Sequence, residues 1–310
     1  VTTNGVPLRD NPVLRRELIE RVQGTKVAVF ITTWLLLLTG ILVLAFQGTV
    51  GINQEFGLDI ASLGRVGREL YEWVLFGMTI LVLFLVPGLT SGSITGERER
   101  QTLVPLQMTL MRPIDIIVGK LAAALAFLVL LIIAAMPLLA TSVLIGGVGI
   151  FSLIRGLGML IFTGLVLGAV CVFISSRFKR TTAATVLSYA VAIIFAVGSF
   201  IGMLAFAIAA FSVDDNNDGP PVELVAINPF AGIADALPRS ADGDVFNDTF
   251  TPFGGLRTMI DELGNDAWIN GEPDRGPYIW IYYLVIGTVV LLLSIRGASR
   301  AVATPAETER

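Results

Sequence analysis

The densest chemistry in this sequence is four alternating charges, Glu97, Arg98, Glu99 and Arg100. They lie within GSITGERERQTLVPLQM, residues 92–108, between two long apolar runs. Ser93 or Thr95 would cap a short helix here, with Glu97 and Glu99 at its positive N-terminus. Leu103, Leu106 and Leu110 then recur at three and four residues, making one apolar stripe. Pro105 limits how far such a helix runs, and Arg112-Pro113 closes the segment. The set contains no histidine and no cysteine. Its pattern suits an amphipathic helix that docks in a partner's groove, or one that lies on lipid. Both of its ends join apolar runs, so a force on it reaches both.

Other reactive groups are scarce. The chain has no histidine and a single cysteine, Cys171, inside an apolar run, which reads as a small buried hydrophobe. G-x-x-x-x-G-K-[ST] and H-E-x-x-H are both absent, so no P-loop and no common zinc site is expected. Asp214 to Gly219 begins like a calcium loop. The bidentate glutamate position is Val225, however, and Pro220 and Pro221 follow the glycine, so it reads as an acidic turn. Asn247-Asp248-Thr249 is a glycosylation sequon by pattern alone. The apolar runs carry no interior charge on this reading, with Lys120 in the first turns of its run, free to snorkel. Ion-coupled carriers commonly use intramembrane carboxylates. If this chain moves a cargo uphill, the energy is expected from a partner.

The elements that hold this segment are set by composition: 54% of the 310 residues are hydrophobic and 15% charged, against about 25% in soluble domains. The expected class is an all-α integral membrane protein. Six apolar runs reach the ~20 residues that cross a bilayer: about 27–46, 71–90, 114–145, 154–175, 183–211 and 278–295. The first lies behind charged residues and has no A-x-A-like exit, so it reads as a span. With the N-terminus inside, 15 of 21 Lys and Arg fall on the cytoplasmic side, and 17 of 25 Asp and Glu fall outside. Basic residues mark the inner side, so the expected topology is N-in, C-in.

Residues 1–26 are read as a cytoplasmic amphipathic helix starting at Pro12, with Val13, Leu14, Leu18 and Val22 on one face. Its polar residues Arg15, Arg16, Glu17 and Glu20 would meet a partner or the membrane surface. Residues 27–295 form the transmembrane domain, including the cytoplasmic segment 91–113 and a long extracytoplasmic segment 212–277; residues 296–310 form a tail. The 212–277 segment has too few apolar residues for its own core and is expected to fold as short helices on the outer ends of the spans. Gly158, Gly164, Gly168 and Ala169 are expected at close helix contacts. Thr32, Thr33, Thr39, Ser188, Tyr189 and Ser199 are candidates to line a pathway.

Residues 96–121, GERERQTLVPLQMTLMRPIDIIVGKL, resemble the segment between the second and third spans of ABC-2 type transporter permeases. Glu97, Arg98, Glu99, Thr102, Leu103, Ile117, Gly119, Lys120 and Leu121 match that pattern. Gln101 stands where the family often has glycine. NPVLRRELIERVQG resembles the family's amphipathic connecting helix, and INPFAGIADAL (227–237) the segment before its last span. The resemblance implies a non-catalytic subunit of an ABC exporter in a prokaryotic cytoplasmic membrane. Its partners would be two P-loop ATPase subunits, which hold the ATP and magnesium, and a second permease chain, a homodimer being the simpler case. Nucleic acid is not an expected partner. Glu97, Arg98, Glu99, Arg100, Thr102, Leu103, Leu106 and Leu110 would form the ATPase-coupling element. A membrane scaffold that recruits an ATPase without moving cargo is the alternative, followed by an ion-coupled carrier.

Overall fold

The computed structural model describes residues 12–22, 25–53, 60–102, 112–198, 201, 226–237, 251–263 and 279–303. These residues are helical almost throughout, and none is in a strand. In chain order the helices are α1 (Pro12–Val22), α2 (Thr25–Asn53), α3 (Ile60–Thr90), α4 (Thr95–Glu99) and α5 (Pro113–Ile145). They continue as α6 (Ile150–Arg177), α7 (Thr181–Ile193), α8 (Pro229–Ala236), α9 (Pro252–Leu263) and α10 (Ile279–Ala303). A π-helical turn, Ile194–Gly198, extends α7. Six helices, α2, α3, α5, α6, α7 and α10, are long and apolar enough to cross a membrane.

Local signals set several boundaries. Pro12 opens α1 and Pro113 opens α5, where a fixed φ and a missing N–H cost nothing. Gly146 ends α5 in the left-handed region, at φ 99°. Other boundaries follow packing. Apolarity placed the second span at Tyr71, but α3 begins at Ile60, because Val66 and Leu70 bury against Ala45 of α2. The last helix likewise runs on to Ala303, since Ala298 and Val302 are buried beside Ile94.

The centre of the bundle is α3, α5 and α6; α2, α7 and α10 bury far less of their surface. Lipid gives helices no hydrophobic reason to associate, so close packing must hold them together. A β-carbon on Gly164 would overlap the Leu128 side chain, and Gly168 lies against Leu121 and Val86. Ala169 is buried as expected. Gly158 is not at a close contact: it faces open space.

At the end of the bundle remote from α4, α8 packs on α6 and α10, and α9 packs on α3 and α8. These are the short helices expected from 212–277, and α8 is buried on nearly every side. This end also corrects the reading of uncharged spans. Glu72, inside α3, is 2% exposed and paired with Arg257 of α9 at 2.9 Å. Two residues so far apart in sequence gave no local sign of pairing.

Candidate coupling site

The chain leaves α3 through the turn 91–94 and enters α4, a helix of only five residues. So short a helix is not stable alone. Its amides at Ile94 and Thr95 have no side-chain cap from their own segment: Ser93 Oγ is buried with no partner, and Thr95 Oγ1 bonds Ser91 O. The cap comes from another span. Ser175 Oγ, near the end of α6, accepts from Ile94 N at 3.0 Å and Thr95 N at 3.1 Å. Ile94, just before α4, is fully buried in one cluster with Ile117 and Leu121 of α5, Val172 of α6 and Ala298 of α10.

Three of the charges predicted to face a partner also bond neighbouring helices, Glu97 and Arg98 half-buried and Glu99 exposed. Glu97 Oε1 accepts from Lys120 Nζ of α5 at 3.1 Å, and Glu97 Oε2 accepts from the Thr102 hydroxyl. Arg98 donates to the carbonyl of Phe178, the residue that caps the C-terminus of α6. A cation there complements the negative end of the helix. Glu99 Oε1 accepts from Thr181 N, the first amide of α7, at 2.7 Å. Glu99 thus serves a helix N-terminus as expected, but that of a neighbouring span. Ser91 and Thr185 join through their hydroxyls at 3.0 Å, a second bond to α7.

Lys120 corrects a second expectation. It does not snorkel: its side chain is 3% exposed, and its ammonium also bonds Glu17 Oε1 of α1 at 2.7 Å. An aliphatic stem packed in the bundle with both nearby carboxylates at hand leaves it no reason to reach for water. The N-terminal helix is thereby tied to α4 through one buried amine. Val13 is buried, and α1 packs against α5. Arg15 is exposed. The side chains of Arg16 and Glu20 lie outside the described residues.

Arg100, Gln101 and Thr102 remain at the surface. Gln101 has φ 57°, the left-handed region that favours glycine, at the position where the family pattern often has glycine. Leu103, Leu106 and Leu110 lie outside the described residues. The pathway candidates are not gathered in one place: Thr32, Thr33 and Thr39 face outward on α2, and Ser188 is buried. Ser199 lies outside the described residues. Between α3, α5 and α6 a cavity of about 10 Å³, lined in part by Val86, Leu125 and Gly164, has room for a water but not a cargo.

Sequence reasoning missed Ser175 as a cap and Glu17 as a partner of Lys120. A serine at a span end and a glutamate on an amphipathic helix have ordinary local uses, and the contacts join residues 80 and 103 positions apart.

Six helices apolar enough to cross a membrane, with a short polar helix bonded to several of them, describe a multi-pass membrane protein. Residues 51–296 match the family model described as ABC-2 family transporter protein, and the chain belongs to that family. A search of curated proteins returns no match. The chain is accordingly a multi-pass membrane permease of an ABC transporter, and not catalytic by itself.

Proposed function

We propose that this permease works in export, that separate P-loop ATPase subunits drive it, and that α4 with its flanking residues receives their motion. The carrying observation is the hub. Five residues of helix are bonded to α5 through Glu97, to α6 through Ser175 and Arg98, and to α7 through Glu99. A partner pressing on the exposed Arg100–Thr102 edge moves three membrane-crossing helices together, and α1 follows through Lys120 and Glu17. Glu97, Arg98 and Glu99 then act as the fastenings of the coupling element, while Arg100 offers the contact. ATP and magnesium belong to the ATPase.

In this reading the chain lies N-in, C-in in a prokaryotic cytoplasmic membrane, with the hub inside. Two copies of the chain and two ATPases make the transporter, and the pathway runs between the two permeases. The closed α3–α5–α6 centre supports this, as do the apolar side chains exposed on α2, α7 and α10, such as Leu44, Val186 and Leu293. Lipid and the second copy share those faces.

The test is purification of the tagged chain in mild detergent from its own cells, with identification of its companions and an ATP-hydrolysis assay. A P-loop ATPase should co-purify. Arg100→Glu should lower its recovery about tenfold by opposing charge complementarity, with membrane insertion unchanged. A chain that purifies alone without ATP hydrolysis would overturn the reading and favour a scaffold or an ion-coupled carrier.

A further inference from the structure

The far end of α3 carries a buried polar cluster that the coupling hub does not use. Glu72 and Arg257 are 2% and 5% exposed, and Arg257 Nη2 donates to Glu72 Oε1 at 2.9 Å. Thr251 Oγ1 donates to Glu72 Oε2 at 2.6 Å and accepts from Gly254 N at the start of α9. Arg257 Nε donates to Ala234 O in the last turn of α8, at 2.8 Å. Glu72 therefore holds the beginning of α9 directly and the end of α8 through Arg257.

Bonds from other spans also hold α8. Asn228 Oδ1 caps its N-terminus, while Nδ2 donates to Ala196 O in the π-helical turn after α7. Arg155 of α6 donates to Ala236 O, and Asp235 accepts from Trp280 N at the start of α10. The attachment to α3 is a buried ion pair. Such a pair adds little net stability over well-packed apolar residues of the same size, because two charges must be desolvated. Its value here lies in fixing position. It is also neutralised in place, which is unlike a carboxylate that carries ions.

The placement on α3 gives the pair its use. Glu72 and Thr90 belong to the same helix, about 27 Å apart along its axis. Immediately beyond Thr90 the chain enters the hub. We infer that Glu72 and Arg257 are positioning residues for transport. They hook the α8–α9 module onto the helix that ends in the coupling segment, so displacement of α4 reaches α8 at the opposite end. The inference rests on the permease reading above, and its partner is the same ATPase.

The experiment is hydrogen–deuterium exchange on the permease–ATPase complex in lipid nanodiscs, with and without magnesium and a non-hydrolysable ATP analogue. In the unaltered complex, nucleotide should change exchange at 91–102 and also at 226–237 and 251–257. In Glu72→Gln the response at 91–102 should persist, while that at the two remote segments falls at least about threefold. The exchanged pair, Glu72→Arg with Arg257→Glu, should restore it toward the original. Should Glu72→Gln fail to fold, Thr251→Val removes one bond to Glu72 and keeps the pair, and a smaller loss of the same sign is expected. A full remote response in either variant overturns the inference. So does an unaltered complex that responds at 91–102 but not at α8, or an exchanged pair that restores nothing. An unaltered complex with no response at 91–102 overturns the proposed coupling role of α4, and this inference with it.

Discussion

Replacing Glu17 and Glu97 together by glutamine should cost more than the two single replacements combined. The Lys120 ammonium lies 2.7 Å from Glu17 and 3.1 Å from Glu97, with its own side chain 3% exposed and the glutamates 19% and 21% exposed. In either single variant one carboxylate still neutralises the amine, and the glutamine carbonyl still accepts a hydrogen bond. Each single change thus turns one charge-assisted bond into an ordinary one, a loss of about 1 kcal/mol. In the double variant a buried cation has no counter-charge. Stranding a charge in this way costs about 3–5 kcal/mol, and the partial exposure of the partners favours about 3 kcal/mol. The expected coupling, beyond the sum of the singles, is therefore about 1 kcal/mol or more. Adding Lys120→Met removes the stranded charge while keeping a similar volume, and should recover about half of the loss. Denaturant unfolding of the purified chain in micelles, followed by tryptophan fluorescence, measures all four variants. A double variant no worse than the sum of the singles would refute the idea that one buried amine serves both helices. So would a triple variant that recovers nothing.

Two further outcomes follow from the same hub. Ser175→Ala removes the acceptor for the Ile94 and Thr95 amides, leaving two buried N–H groups without that partner. A loss of about 1–3 kcal/mol is expected, with faster amide exchange confined to residues 91–100 as the specific sign. Gln101→Gly relieves a left-handed backbone at φ 57° and should slow exchange at 98–102, stabilising the turn by about 0.5–1 kcal/mol. Gln101→Val should do the opposite, because a β-branched side chain tolerates that region poorly.

How much was legible in the sequence can be traced residue by residue. Span number and helical class followed from composition, since only helices satisfy their own backbone in lipid. The starts of α1 and α5 were marked by proline. The 92–108 segment stood out through charges that an apolar chain has no other reason to carry. The direction of those charges was not legible. Ser93 and Thr95 were the local candidates to cap α4, and Ser175 does it from another helix. Burial of Lys120 depended on two carboxylates, one of them 103 residues away.

Sequence by itself thus determined that this chain crosses a membrane in helices and carries one charged segment between two of its spans. Those properties depend on local composition, because each helix satisfies its hydrogen bonds within a few residues. Tertiary structure alone decided which charges are bonded between helices. It turned Glu97, Arg98 and Glu99 toward α5, α6 and α7, left Arg100 exposed, and set Glu72 against Arg257 at the opposite end of α3. Ion pairs and caps between helices form only after the helices have packed, so no window of neighbouring residues records them.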